Sequence, residues 1–389
     1  MKYKPLSQVA KYRTDRIAAV KITDGNYIST ENMRPNRGGV EKAATVPISK
    51  AFSKYVPKDI LLSNIRPYFK KIWFADQIGG CSNDVLVVHS NGVDAKFLYY
   101  VLSDNNFFNY STVTAKGTKM PRGSKTAIMK YLVPDIDLLT QTRIASILSA
   151  YDDAIENNSR RIALLERAAR ELYREWFVRF RFPGHEKMKI VNGLPEGWAL
   201  VRLSELYDTT SGGTPSRQYP EYYQNGIYPW IKTGELNNRF IIETEESITA
   251  EAIKKSSAKI IDDGSLIMAM YGATIGQLGF TVGQTTCNQA CCVFIPKVAH
   301  YSKEYLFLWI SHNLKHIIGL GFGAAQQNLS QELIARLNIL KPETNIVQKF
   351  TDIVFKKYML IKQLQFQSQN LARQRDLLLP RLMSGKLKV

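Results

Sequence analysis

Two stretches of the chain place residues at alternating intervals of four and three along one helical face. The first runs through Ile144, Leu148, Tyr151, Ile155, Asn158, Ile162, Leu165, Ala169, Leu172 and Trp176. Adding 206 to each number gives Phe350, Val354, Lys357, Ile361, Leu364, Ser368, Leu371, Arg375, Leu378 and Leu382, in the same phase. This is the spacing of a coiled-coil seam. No Gly or Pro interrupts either run before Pro380, which is expected to end or kink the second helix. Each run is about 50 Å long at ~1.5 Å per residue. A long helix with a narrow apolar stripe must bury that stripe. Either each helix lies on its own domain, or the two pair with each other. Equal lengths and matching phase favour pairing, most simply antiparallel, because each helix follows one globular half. The polar seam positions Asn158, Lys357, Ser368 and Arg375 then weaken the pair or set its register.

Outside the helices the pattern changes to short apolar runs broken by Gly, Asn and Asp. ILLSNIRPYFKKIWFA and DVLVVHS in the first half, and SLIMAMYG, GQLGFTVG and CCVFIP in the second, read as strands. FLYYVL (97–102) and YLFLWI (305–310) each predict a helix. The same offset aligns Lys58-Asp59-Ile60-Leu61-Leu62 with Gly264-Ser265-Leu266-Ile267-Met268. It also carries Phe74 onto Phe280, Cys81 onto Cys287, Gly117 onto Gly323, Ser124 onto Ser330 and Ile128 onto Ile334. Leu6-Ser7 echoes Leu203-Ser204 at a shorter offset. A repeat on this scale predicts a duplicated architecture. The expected fold is α/β (α+β). Globular domains span 1–137 and 199–342, and long helical regions span 138–182 and 343–389, paired antiparallel with pseudo-two-fold symmetry. Pro183, Gly184, Gly193, Pro195 and Gly197 mark 183–198 as a linker.

Composition narrows the class. The 389 residues are 45% apolar and 22% charged, an ordinary globular balance. No apolar run reaches the roughly 18 residues that cross a bilayer, and MKYKPLSQVAKYR has no signal-like apolar stretch, so a cytoplasmic protein is expected. Cys81, Cys287, Cys291 and Cys292 show no metal-ligand spacing and read as reduced core thiols. The net charge of +18 favours a polyanionic partner. That charge is uneven: residues 1–137 carry +10, 138–182 carry +2, 183–342 carry zero and 343–389 carry +6.

The loops hold groups that grip phosphate or read base edges. In the first half these are Asn64, Arg66, Tyr68, Lys70 and Lys71, with Lys116, Thr118, Lys119 and Arg122 on a second basic loop. The second half offers Thr214, Ser216, Arg217, Lys232, Thr233, Tyr271, Thr274, Gln326, Gln327 and Asn328. Arg and Lys match guanine, and Asn and Gln match adenine. Lys and Arg also hold phosphates without reading sequence. The neutral second half either binds through amides and hydroxyls, or presents a basic face with Glu243, Glu245 and Glu246 turned away. No Walker A run occurs, and Gly319-Leu-Gly321-Phe-Gly323 fails the dinucleotide pattern at Gln326. No amino-methyltransferase motif or nuclease partner for Asp135 is present, and the five histidines form no ligand cluster. A non-catalytic DNA reader fits best. An enzyme with built-in recognition, or a scaffold with incidental charge, are the competing classes.

These residues resemble the specificity subunit of type I restriction–modification systems over essentially the whole chain. LLTQTRIASILSAYDDAIENNSRRIALLERAARELYREWFVRF is similar to that family's central conserved region, and RDLLLPRLMSGKL to its C-terminal ending. RFPGHE and LPEGW resemble the following linker. KDILLSNIRPYFKKIWFA with GGCSNDVLVV, and YGATIGQLGF with CNQACC, resemble its domain motifs. The resemblance implies two target recognition domains reading a split double-stranded DNA site, with the helices acting as ruler and docking surface. It implies two modification subunits supplying S-adenosylmethionine chemistry and restriction subunits supplying ATP- and Mg-dependent translocation and cleavage. No cofactor is expected on this chain.

Overall fold

The structure is a computed structural model that describes residues 2–298, 300–320, 328–387 and 389. Gln326, Gln327 and the Gly321–Gly323 turn lie outside the described residues. The chain forms two compact units, one of residues 1–156 and 369–389, the other of residues 157–368. Each unit therefore holds a globular domain and a part of both long helices.

In the first unit, strand Val85–Ser90 lies between Ala10–Tyr12 and Ile60–Ser63, and Ile72–Phe74 completes an antiparallel sheet. A second four-stranded sheet contains Arg16–Ala18, Ala51–Tyr55, Gly79–Cys81 and Tyr27–Ile28, the last two parallel. Lys2–Pro5 pairs with Leu132–Asp135 and so ties the start of the domain to its end. Helix Ala95–Ser103 begins where the Asp94 carboxylate accepts the N–H of Phe97 at 2.8 Å. Its Phe97, Leu98 and Val101 pack on Leu6, Ile60, Leu62 and Val133.

The second unit repeats the central sheet of this plan, while its second sheet has three strands, Ser247–Ile248, Tyr228–Ile231 and Thr286–Cys287, in place of four. Leu266–Ala269, Leu278–Thr281, Cys291–Pro296 and Asn338–Lys341 stand 206 residues after Ile60–Ser63, Ile72–Phe74, Val85–Ser90 and Leu132–Asp135. Even the register is preserved. Ile60 faces Val88 and Leu266 faces Phe294, while Ile60 faces Phe74 and Leu266 faces Phe280. Ser124 and Ser330 both cap short helices with their hydroxyls. Since a one-residue slip would turn every side chain to the other face, identical register means the two cores are built alike. One addition is Arg239–Ile241, a parallel edge strand beside Leu278–Thr281.

The central helix runs from Leu138 to Tyr173 and continues as a π turn, Arg174–Val178. The Asp137 side chain accepts the Thr140 N–H at its start. The C-terminal helix spans Thr344–Met383 and passes through Pro380, so that proline does not end it. Pairing is antiparallel. In the first unit Ile144, Ala145 and Leu148 share a core with Leu379, Leu382 and Met383. In the second, Ile162, Ala169, Tyr173 and Trp176 share one with Phe350, Val354, Tyr358, Ile361 and Leu364. The strict seam needs local correction. Tyr358 is buried where Lys357 was placed, Tyr173 is more buried than Leu172, and Leu379 more than Leu378. Tyr151, Ile155, Leu165 and Leu371 are only half-buried. A straight α-helix drifts from a 3.5-residue repeat by about 20° per heptad, which moves the buried face by a residue.

The Gly/Pro-rich segment read as a linker is folded. Phe182 stacks on Trp198 at 4.8 Å, and Ile190–Val191 pairs with Leu194–Pro195. All four cysteines are buried thiols, and burial pushes Cys81 up to about 12. Among the described residues no helix is long and apolar enough to cross a membrane, and no group of His, Cys, Asp or Glu is placed to hold a metal ion. His312 packs its ring against Tyr173 instead.

Candidate nucleic-acid interface

Each domain gathers its polar loops around one short turn, and the two turns are equivalent in the repeat. In the first domain the turn is Ser82–Asp84, between strands Gly79–Cys81 and Val85–Ser90. The Ser82 N–H donates to the Ile28 carbonyl at 2.9 Å, and the Asn64 N–H donates to the Asp84 carbonyl at 2.8 Å. In the second domain Asn288 donates to the Ile231 carbonyl at 3.0 Å, and Met270 to that of Ala290 at 2.9 Å. The turn thus fixes the segment after Asn64 to the one after Ile28, and Tyr271 to Lys232.

In the first domain this brings the two predicted basic loops together. Ile65 bridges Arg122, Arg66 donates its N–H to the Pro121 carbonyl at 2.8 Å, and Gly123 donates to that of Asn64 at 3.0 Å. Lys116 and Arg122 exchange backbone hydrogen bonds at 2.8 and 2.9 Å, closing a hairpin with exposed Thr118 and Lys119 at its tip. Tyr68 and Phe69 are exposed side by side, with ring centroids 4.8 Å apart. Three side-chain atoms here, Asn64 Oδ1, Arg66 Nε and Ser82 Oγ, are buried without a hydrogen-bond partner. Buried polar atoms are nearly always paired, so these three mark where a water or a ligand group completes the site.

Not every predicted cation is free for DNA. Lys71 Nζ donates to the Thr30 carbonyl at 2.6 Å, and its burial lowers the ammonium below its usual range. Lys70 Nζ donates to Asn105 Oδ1 at 2.9 Å. Arg122 pairs with Asp84 at 3.2 Å.

In the second domain the same geometry joins Tyr271 to Asn328 by a bridge, the counterpart of Ile65 and Arg122 206 residues earlier. Thr214 donates its hydroxyl to Gln289 Oε1 on the central turn. Ser216 Oγ accepts the Gln218 N–H, Thr233 opens a 3-10 turn, and the Thr274 carbonyl accepts from Gln277. The two prominent cations are engaged by acids. Arg217 donates to Glu246 at 2.6 Å and stacks on Tyr223 at 3.9 Å, while Lys232 pairs with Glu245 and, at 3.6 Å, with Glu246. The Arg217 hydrogen bond holds Glu246 below the usual carboxylate range. Glu245 and Glu246 therefore do not turn away from the basic residues; they neutralise them. Among the described candidates of this domain, the others carry hydroxyl, amide or aromatic groups.

Sequence reasoning missed Ser82, Asp84 and Gln289, which sit in these clusters. The turn residues carry a signal that was available: Ser82–Asp84 maps onto Asn288–Ala290 by the same offset of 206.

Residues 2–167 and 195–367 match the family profile described as the type I restriction modification DNA specificity domain. The chain belongs to the type I restriction–modification specificity family. Among curated relatives, the type I restriction enzyme MjaIX specificity subunit of Methanocaldococcus jannaschii is 26% identical over 310 residues, covering 78% of this chain and 71% of that one. The HindI specificity subunit of Haemophilus influenzae is 24% identical over 400 residues, covering 85% and 86%. The crystal structure of a type I system S subunit from M. genitalium shares the fold with a TM-score of 0.60 at 14% identity, covering 98% of this chain and 96% of that one. As a specificity subunit, the chain serves DNA target recognition, and the two matched stretches take in both loop clusters.

Proposed function

We propose that the chain reads a split double-stranded DNA site, one recognition domain per half, and directs methylation and restriction performed by partner subunits. The observation that carries this is the duplicated domain. Two loop clusters are built on strands of identical register, and each unit includes part of the antiparallel helix pair. A duplicated reader on a shared rod engages two stretches of one duplex and leaves the bases between them unread. The helix pair fixes that spacer, and half-sites about one helical turn of DNA apart, ~34 Å, suit such a reader. The helices also offer the surface on which two modification subunits dock, with restriction subunits joining through them. S-adenosylmethionine, ATP and Mg belong to those partners, so the chain performs no catalytic step of its own. It works in the cytoplasm, on the DNA that its partners mark.

The test is domain exchange followed by genome-wide mapping of methylated sites. Replacing residues 199–340 with the corresponding domain of another specificity subunit is expected to change one half of the target and leave the other half and the spacer intact. A change in both halves, or a contiguous ungapped target in the parent, would overturn the reading.

A further inference from the structure

Left-handed backbone is concentrated where the first domain's loops meet. Nine described non-glycine residues have positive φ, and Asn36 (52°), Arg37 (61°), Arg66 (49°) and Lys70 (52°) are four of them. They form one cluster: Asn36 and Arg37 donate their N–H groups to the carbonyls of Phe69 and Lys70, at 2.8 and 2.9 Å. Asn tolerates this conformation, whereas the Cβ of Arg or Lys crowds the next carbonyl. The second domain supplies an internal control. At the positions 206 residues after Arg66 and Lys70 stand Gly272 (φ 73°) and Gly276 (φ 79°). The turn needs the backbone conformation, and glycine provides it without strain. The first domain instead holds two cationic side chains there.

Strain of this kind persists only where the surroundings impose it, and it marks functional loops. The surroundings are visible. Lys70 Nζ and Arg37 Nη2 both donate to Asn105 Oδ1, at 2.9 and 2.7 Å, and Arg37 Nε donates to the Ser103 carbonyl at 2.6 Å. Lys70 and Arg37 thus clamp the loop. Arg66 Nε is buried and unpartnered, and it is followed by the exposed Tyr68–Phe69 pair.

We infer that Arg66 is a specificity-determining residue of the first recognition domain, its guanidinium engaging an acceptor on DNA at the expense of backbone strain, with Lys70 and Arg37 as positioning residues. The inference rests on the split-site reading above. The acceptor is the O6/N7 edge of a guanine, which matches a guanidinium fork; a phosphate would accept the same fork without reading sequence.

The test uses the full chain assembled with its modification subunits, on the methylated target and on random duplex. Arg66→Gly relieves the strain, so its melting temperature is expected to hold or rise while affinity for the target falls about tenfold. Lys58→Gly is the control. Lys58 is also left-handed (φ 73°), is exposed, and corresponds to Gly264 (φ 69°); this variant is expected to be as stable or more so and to bind unchanged. Arg66→Lys retains the charge and the strained backbone but not the planar fork. It is expected to lose target preference at one base pair; binding of both duplexes nearly as the parent does would mean a phosphate contact and would overturn the specificity role. Undiminished target affinity in Arg66→Gly sinks the inference. Failure of the parent to prefer a split site over random duplex would sink the earlier reading instead, so the two failures are distinct.

Discussion

Two cations of equal charge do different work here. Lys119 is exposed at the tip of the hairpin closed by Lys116 and Arg122, whereas Arg217 is stacked on Tyr223 and paired with Glu246. Replacing Lys119 by Ala is expected to weaken binding to every duplex alike and to lower the slope of log affinity against log salt by about 1, because one phosphate contact's counterions are no longer released. Replacing Arg217 by Ala is expected to leave that slope unchanged and to reduce stability by about 1 kcal/mol through loss of the cation–π contact. Salt titrations of DNA binding and thermal melts of both variants check this, and a shallower slope in Arg217→Ala would refute the assignment. Residue type had singled out both positions. What separates them is whether a carboxylate reaches the cation, and Glu246 is 29 residues from Arg217 in sequence. Such a pairing depends on how strands meet, so it is not legible in composition or local spacing. The strain at Arg66 was hidden for the same reason, although the glycines at Gly272 and Gly276 could have signalled it once the repeat was found.

At the scale of elements, the helix pair contains a polar layer at Asn158. Asn158 is buried, and its Nδ2 donates to Gln367 Oε1 at 3.2 Å and to Ser368 Oγ at 3.3 Å. Such layers fix register more than they stabilise. Neither partner would be orphaned by its removal: Ser368 Oγ still donates to the Leu364 carbonyl at 2.8 Å, and Gln367 is exposed. Asn158→Leu is therefore expected to raise stability by about 1 kcal/mol, since an apolar group replaces an amide whose partners have alternatives. A melting temperature lowered by several degrees would show that the layer is a net contributor. Both helices were legible because a stripe sustained over many turns averages out local exceptions. The exceptions themselves, Tyr358 for Lys357 and Leu379 for Leu378, were not legible, because a one-residue drift of the buried face is decided by what packs against it. Arg375 shows a further possibility, a seam position filled by a cation that pairs with Asp152 on the other helix.

At the scale of the whole molecule the repeat is faithful in the central strands and unfaithful in charge. The strands share an offset and a register, yet residues 1–137 carry +10 and residues 183–342 carry zero. The structure sharpens this contrast, because Glu245 and Glu246 neutralise the prominent loop cations Arg217 and Lys232 of the second domain. The duplication could be read from the chain because β-registers and turn positions leave marks at fixed intervals. The division of labour could not, because it depends on which charges cancel after folding. On the split-site reading proposed above, the first domain is expected to supply most of the salt-dependent grip on phosphate, and the second mainly hydrogen bonds and apolar contacts. Counterion release gives a slope of about −0.9 per phosphate neutralised on duplex DNA. Two short duplexes, each carrying one half of the target and assigned to a domain by the exchange experiment, should therefore behave differently when bound by the full complex. Affinity for the half read by the first domain should fall steeply between low and high salt, and affinity for the other half should change little. Equal slopes on the two duplexes would mean that both domains hold the backbone alike, and that the charge asymmetry serves another surface.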